Sequence, residues 1–285
     1  MKKNDFRFVD RLRVRWAEID AQKIVFNGHY LMYFDTAVAG YWRAMAIPYA
    51  QAMEQLGGDL FVRKASLEYL APARYDDVLD IGMRCARIGN SSMTFIGAAF
   101  RRDELLVSCE LVYVFADPQA KKSMPVPAAL RDLLESFEAR QEMIEVRLGT
   151  WQDLGPDAQA VRADVFVKEQ KIPVDMEWDD ADLGAIHAVA TNRLGMVLAT
   201  GRLLQHAAGV ARIGRMAVHQ WARGSGVGGQ VLDALTRQAA KRGDLEVRLN
   251  AQLSAVPFYS RAGFSARGAE FDEAGIPHIE MGRLL

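Results

Sequence analysis

The chain has 285 residues, is 50% hydrophobic and 25% charged, and carries a formal net charge of −1. Those values suit a soluble globular protein of two domains, and the balanced charge offers no basic surface to nucleic acid. Cys85 and Cys109 lie in no metal or redox spacing, and no apolar run reads as a signal peptide or membrane span, so a reducing cytoplasm is the expected location.

From Phe6 to Trp16 the apolar Phe8, Leu12, Val14 and Trp16 alternate with Arg11, Arg13 and Arg15, which predicts a strand with its arginines in solvent. Asn27 suits the N-cap of a helix over 28–45 that is nearly apolar all round. Its residues Tyr30, Tyr33, Phe34, Ala37, Val38, Tyr41, Trp42 and Met45 cover too wide an arc for a surface helix, so burial is expected. Segments 64–72, 77–89, 93–102 and 104–117 read as strands. One long helix wrapped by an antiparallel sheet follows. Asp20 lies between the first strand and the helix. A carboxylate there is either a turn or cap residue, or a base or nucleophile beside free helix N–H groups that would face a reacting carbonyl.

The stretch RVRWAEIDAQKIVFNGHYLMYFDTA, followed by YLAPARYDDVLDI, resembles the hotdog-fold acyl-CoA thioesterases of the 4-hydroxybenzoyl-CoA thioesterase type, over roughly residues 8 to 140. The resemblance rests on Asp20 followed ten residues later by Tyr30. It implies that Asp20 is the catalytic carboxylate and that the backbone N–H of Asn27 polarises the thioester carbonyl. Many relatives have glycine and histidine in this loop, where this chain has Lys23, Ile24 and Asn27, and the acyl group is left unspecified. The likeness also implies a homo-oligomer formed through the hotdog domain, here 1–142.

Pro125 and Pro127 precede an amphipathic helix with Leu130, Leu133, Leu134 and Phe137 on its apolar face. A second domain over 143–285 opens with a strand at 143–149 and a helix at 157–170 striped by Ala158, Val161, Val165 and Phe166. Strands at 185–192, 195–205 and 210–218 follow, then a helix over 227–242 that packs through Val227, Val231 and Leu235. A strand at 245–250, a helix at 254–264 and a strand at 278–285 complete a mixed α/β sandwich. The acidic run DMEWDDAD (175–182) lacks the glycine and distal Glu of an EF-hand, and a solvated loop is expected.

Between strand and helix lies RGSGVGG, residues 223–229, a G-x-G-x-x-G through Gly224, Gly226 and Gly229. A dinucleotide fingerprint needs its first glycine at the strand's end and an acid about 20 residues on. Here His219 to Arg223 intervene, and Asn250 stands near the acid's position. No Lys-Ser/Thr pair follows, which excludes a Walker-type loop. A glycine loop opening a helix remains, either a phosphate cradle made of backbone N–H groups or a turn without a ligand.

The order of elements, with RIGRMAVHQWARGSGVGGQVLDAL and the later FYSRAGF, resembles the GNAT-type N-acetyltransferases over roughly 143–285. Arg223, Gly226 and Gly228 fit that family's R/Q-x-x-G-x-G/A signature. The resemblance implies that backbone N–H groups of Arg223, Gly224, Ser225, Gly226, Val227, Gly228 and Gly229 hold the pyrophosphate of coenzyme A. It implies further that Met216, Ala217 and Val218 bind the pantetheine arm and that Tyr259 protonates the leaving thiolate. Asn250 either contacts the cofactor or ends its strand, and His187 and His278 are either bases for the amine or structural histidines.

Two coenzyme A-handling folds imply a bifunctional α+β protein: an acyl-CoA thioesterase fused to an acyltransferase that uses an amine acceptor. Coenzyme A or acyl-CoA is expected as substrate, without a metal, nucleic acid or membrane partner. The alternative is a thioesterase whose second half is a non-catalytic acyl-CoA sensor or assembly module.

Overall fold

Tyr30, Tyr33, Phe34, Ala37, Val38, Tyr41, Trp42 and Met45 are all buried, and the helix that carries the first seven and is capped by Met45 organises the first of two units in the computed structural model. The structure describes Met1–Leu285, divided into Met1–Met143 and Ile144–Leu285. The first unit runs β1 (Phe8–Arg13), α1 (Asn27–Ala44), α2 (Tyr49–Leu56), β2 (Asp59–Tyr69), β3 (Val78–Ile88), β4 (Ser92–Arg101), β5 (Glu104–Asp117), β6 (Lys122–Ser123) and α3 (Ala128–Glu138). Its sheet is antiparallel throughout, in the order β1-β3-β4-β5-β2, with β6 beside β5.

Close approach of helix and sheet depends on Gly97 of β4, where a Cβ would stand 2.7 Å from the Phe34 ring and 2.8 Å from the Met83 sulfur. The other face of α1 meets solvent, with Leu31 41% and Met32 40% exposed, so the helix is not buried all round. Asn27 is the first helical residue; Phe26 holds the cap position, without a side-chain cap bond. Trp16 is 76% exposed, because the chain leaves β1 after Arg13 and turns through a 3-10 segment at Trp16–Glu18. The strand is therefore shorter than its alternation predicts.

The second unit runs β7 (Ile144–Gly149), α4 (Trp151–Arg162), α5 (Val174–Glu177), α6 (Ala181–Gly184), β8 (Ile186–Asn192), β9 (Val197–Ala207), β10 (Val210–Val218), α7 (Val227–Arg242), β11 (Glu246–Gln252), α8 (Val256–Arg261), β12 (Ser265–Glu273) and β13 (Ile276–Leu284). The helix expected from 157 begins earlier, because Thr150 and Asp153 form a capping box: the Thr150 backbone N–H donates to Asp153 Oδ2 at 3.2 Å, and the Thr150 hydroxyl donates to the same oxygen at 2.7 Å. It continues through a π-helical turn at Ala163–Glu169. Val161, Val165 and Phe166 pack with Ala217 of β10.

The sheet order is β12-β13-β11-β10-β9-β8-β7, and only β10 and β11 run parallel. They pair solely through Val210–Arg212 and Glu246–Arg248. Beyond that, β10 reaches Val218 and β11 reaches Gln252 unpaired with one another, so the strands splay. An irregularity between Gly214 and Ala217, with Arg215 at φ 50, bends β10 at the same place. No helix is long and apolar enough to cross a membrane.

Phe34 is fully buried, so Phe34→Ala should destabilise the first unit by about 3–5 kcal/mol. Hydrogen exchange of amides in β3 and β4 under increasing urea checks this, and the expected outcome is opening at lower urea than in the wild type.

Candidate active sites

Asp20 stands in a tight loop closed by a bridge between Ile19 and Val25. Its Oδ1 accepts the N–H groups of Gln22 at 2.8 Å and Ile24 at 3.4 Å, while its own N–H donates to Ile24 O at 2.9 Å. Lys23 takes the left-handed φ of 61 that this turn requires. One carboxylate oxygen therefore does the work of an Asx turn. The other, Oδ2, takes no part in the turn.

The same loop is tied to the start of α1. Phe26 N–H donates to Glu18 O at 2.9 Å and Val25 N–H to Ala73 O at 2.9 Å. Ala73 N–H donates to the buried Tyr30 hydroxyl at 3.0 Å, and the Tyr69 hydroxyl donates to Asn27 O at 3.1 Å. Asn27 stands in the first turn of α1, where N–H groups have no partner within the helix and the dipole is positive. Asp20 and the Asn27 N–H thus flank one short, braced loop.

Glu18, which the sequence reading passed over, is the brace. It is 3% exposed and accepts the Tyr33 hydroxyl at 2.6 Å, the Arg15 N–H at 2.7 Å and Arg15 Nε at 2.6 Å. Burial alone would raise its pKa, but these bonds together hold the carboxyl below its ordinary value. No periodicity marks such a residue, because its partners are a turn and a helix that meet only in the fold.

In the second unit a cavity of about 470 Å³ opens where β10 and β11 separate. Met216, Asn250, Tyr259 and His278 line it. Ala217 and Val218 instead pair with Thr200 and Ala199 of β9. Tyr259 is 7% exposed, and burial pushes its hydroxyl up to about 12, so it keeps its proton at neutral pH. Asn250 lies within β11 and does not end it. Its Oδ1 accepts Arg212 Nη2 at 2.6 Å, and its Nδ2 donates to Glu273 Oε2 at 3.1 Å.

Of the two histidines, His278 reaches the cavity and donates Nδ1–H to Ile276 O at 2.7 Å, leaving Nε2 free of that bond. His187 does not line it. At 1% exposure it donates Nε2–H to Asp182 O at 2.9 Å, and burial holds its pKa below the ordinary value. It is a structural histidine.

The glycine loop follows a 3-10 turn at Gln220–Ala222. Gly224 and Gly226 take φ of 83 and 84, and Gly226 caps α7 without a side chain, so the N–H groups of Val227, Gly228 and Gly229 fall in the helix's first turn. A Cβ on Gly228 would stand 3.2 Å from Val218 Cγ2, which explains the small residue there. Ser225 Oγ donates to Ala222 O at 2.6 Å, tightening the turn. Arg223 holds the loop from outside: its two Nη groups donate to the two Glu169 oxygens at 2.7 Å each, and its Nε donates to Val218 O at 3.2 Å.

The acidic run is not a solvated loop. Glu177 and Asp182 are 1% and 3% exposed, wrapped around Arg162, itself 1% exposed. Arg162 bonds Glu177 at 2.5 Å and Asp182 at 2.8 Å, with the Trp178 ring centroid 4.7 Å from its guanidinium. Arg202 bonds Asp179 at 2.5 Å and Asp182 at 2.8 Å, and Arg215 meets Asp179 at 3.2 Å and Glu177 at 3.5 Å. Guanidinium and carboxylate charges balance within this network. Burial nevertheless raises the Glu177 pKa, and the Arg162 bonds offset only part of that.

No group of three or more His, Cys, Asp or Glu side chains is placed to hold a metal. Residues 14–134 match the family model of the thioesterase-like superfamily, and residues 156–285 match that of the acetyltransferase (GNAT) domain. YjcF of Bacillus subtilis, an uncharacterized N-acetyltransferase, is 40% identical over 126 residues, which are 44% of this chain and 89% of YjcF. A protein of Aquifex aeolicus, provisionally an esterase, is 32% identical over 96 residues, 34% of this chain and 74% of its own. A thioesterase of Thermus thermophilus solved with coenzyme A and zinc aligns at TM-score 0.43 and 24% identity, over 48% of this chain and 97% of its own.

Arg162→Ala would leave the buried Glu177 and Asp182 short of one guanidinium each, with only Arg215 and Arg202 beside them, and a loss of about 3–5 kcal/mol is expected. Buried carboxylates so deprived have raised folded-state pKa values, so the deficit should shrink as pH falls from 7.5 to 5 and they take up protons. Thermal unfolding of wild type and variant across that pH range checks both.

Proposed function

Because the chain belongs to the thioesterase-like superfamily through its first half and to the GNAT acetyltransferases through its second, we propose that it is a bifunctional acyl-CoA enzyme. The first half hydrolyses an acyl-CoA, and the second moves an acetyl or acyl group from coenzyme A to an amine. What carries this reading is the presence in one chain of two acyl-CoA-handling families.

In the first half, Asp20 Oδ2 takes a proton from a water molecule as the water oxygen attacks the thioester carbonyl carbon. The oxygen that gains charge faces the Asn27 N–H, a position where one fixed donor is worth roughly 10²–10³ in rate. The C–S bond then breaks, the acid leaves, and the thiolate of coenzyme A takes up, through solvent, the proton that Asp20 releases. Edge strand β2 exposes Phe61 at 46%, Val62 at 53% and Tyr69 at 51%, which supports a homo-oligomer joined through this unit.

In the second half, the pyrophosphate of coenzyme A is held by backbone N–H groups of Arg223 to Gly229, at the positive end of α7. Past Arg212, β10 has β9 on one edge and no strand on the other, and the main chain of Met216–Val218 holds the pantetheine arm there. The amine nitrogen attacks the thioester carbonyl carbon, the C–S bond breaks, and the Tyr259 hydroxyl protonates the departing sulfur; the proton that the amine nitrogen loses passes to water, which reprotonates Tyr259.

Thiol release from a panel of acyl-CoAs without any amine tests the first half. The wild type should release thiol, and Asp20→Ala should lose at least about 100-fold of that rate. Equal rates would remove Asp20 from the chemistry, and no release from any thioester would remove the thioesterase reading. For the second half, Gly226→Val forces a β-branched residue to φ 84, a strain of order 1–3 kcal/mol. The KM for acetyl-CoA in amine acetylation should rise about tenfold or more, with thiol release by the first half unchanged.

A further inference from the structure

Six charged side chains line the cavity beside β10: Glu177, Asp179, Arg202, Arg212, Arg215 and Glu273. Glu177, Asp179, Arg202 and Arg215 belong to the ion-paired network around Arg162 and neutralise one another. Arg212 and Glu273 stand outside it. Each meets a neutral partner, and it is the same one: Asn250 accepts from Arg212 at 2.6 Å and donates to Glu273 at 3.1 Å. The amide thus holds a guanidinium and a carboxylate apart, one at each of its ends, on the wall that also carries Tyr259 and His278.

Arg212 is half-buried, which removes part of its hydration, and a single hydrogen bond to an amide leaves most of its five N–H donors unused. A planar, delocalised cation in that state is suited to a carboxylate, which it engages through two parallel bonds. Glu273 supplies the opposite charge at the distance of one side-chain amide, suited to an ammonium. A polyamine would find little here, since Glu177 and Asp179 are committed to arginines. A volume of about 470 Å³ is at the scale of small-molecule sites.

We infer that the acceptor is a small molecule of amino-acid type, its carboxylate bound by Arg212 and its ammonium by Glu273 across Asn250. This rests on the acyltransferase reading above and supplies the acceptor class that it lacks.

The test uses the full chain with acetyl-CoA and matched acceptors that differ only in the carboxylate: tyrosine and tyramine, arginine and agmatine, lysine and cadaverine. Binding of each to the protein saturated with coenzyme A is measured by calorimetry alongside turnover. At least one acid should show a KM tenfold or more below that of its amine counterpart. Arg212→Ala should raise that KM about 10- to 100-fold, the scale of lost charge-assisted hydrogen bonds, and leave the amine's KM within about twofold. Arg212→Lys, which keeps the charge without the planar fork, should recover part of the loss. The unchanged KM of the amine shows that the variant is folded.

The inference is overturned if amines serve as well as acids, or if Arg212→Ala weakens both alike. If no acceptor is acetylated but acids bind the wild type and not Arg212→Ala, the recognition stands and the acyltransferase reading falls. If acids neither react nor bind, the recognition itself is wrong.

Discussion

A guanidinium taken out of water must find its charge answered, and at Arg162 that demand shapes half the molecule. Glu177 and Asp182 come from short helices with no propensity of their own worth mentioning, four residues each. They are held because each closes an ion pair on Arg162, and Asp182 and Asp179 extend the pairing to Arg202 of β9. The wall of the cavity that faces β10 is therefore ionic in construction. An apolar wall of the same shape would suit stability as well. An ionic one presents hydrogen-bonding atoms to a polar ligand while leaving no net charge behind.

The first unit inverts the device. There a carboxylate, Glu18, is buried, and it draws in the Arg15 guanidinium and the Tyr33 hydroxyl. Each unit fixes an irregular segment by burying one charged group that the segment must satisfy. In the first unit the segment so fixed leads to the start of α1 at Asn27; in the second it leads into β8, and the start of α7 at Val227 is held separately, by the partly exposed Arg223–Glu169 pair. Unbonded N–H groups at those starts are the common chemical resource on which the proposed reactions draw, for a thioester oxygen in one unit and a pyrophosphate in the other.

Periodic features were legible in the sequence. The eight apolar residues from Tyr30 to Met45 that the helical spacing singles out are all buried, β5 and β10 span the stretches read as strands, and α7 begins at Val227, the first residue of the helix expected there. What failed lacked a period. Alternation placed Trp16 in a strand because it carries no information about where pairing ends. The run at 175–182 looked solvated because its arginine partners lie elsewhere in the sequence, at 162, 202 and 215. Strand β12, exposed at every position, offered no apolar face to read. Asp20 could be placed in its loop, and one of its oxygens meets the turn requirement, which leaves Oδ2 for the proposed catalytic role.

The π-helical turn at Ala163–Glu169 has a consequence for how this sequence tolerates length change. A π turn is an α-helix carrying one surplus residue, and each residue swings a helix by about 100°. The turn takes up that surplus locally, and Val165 and Phe166 face the core beside Ala217 while Glu169 reaches both Nη groups of Arg223. Loss of one residue inside the turn would leave a regular helix with its two ends still in phase, whereas loss of one residue ahead of it, within Trp151–Arg162, would turn all that follows by about 100°. Tolerance of shortening is thus confined to a segment that its sequence of ordinary helix formers does not announce.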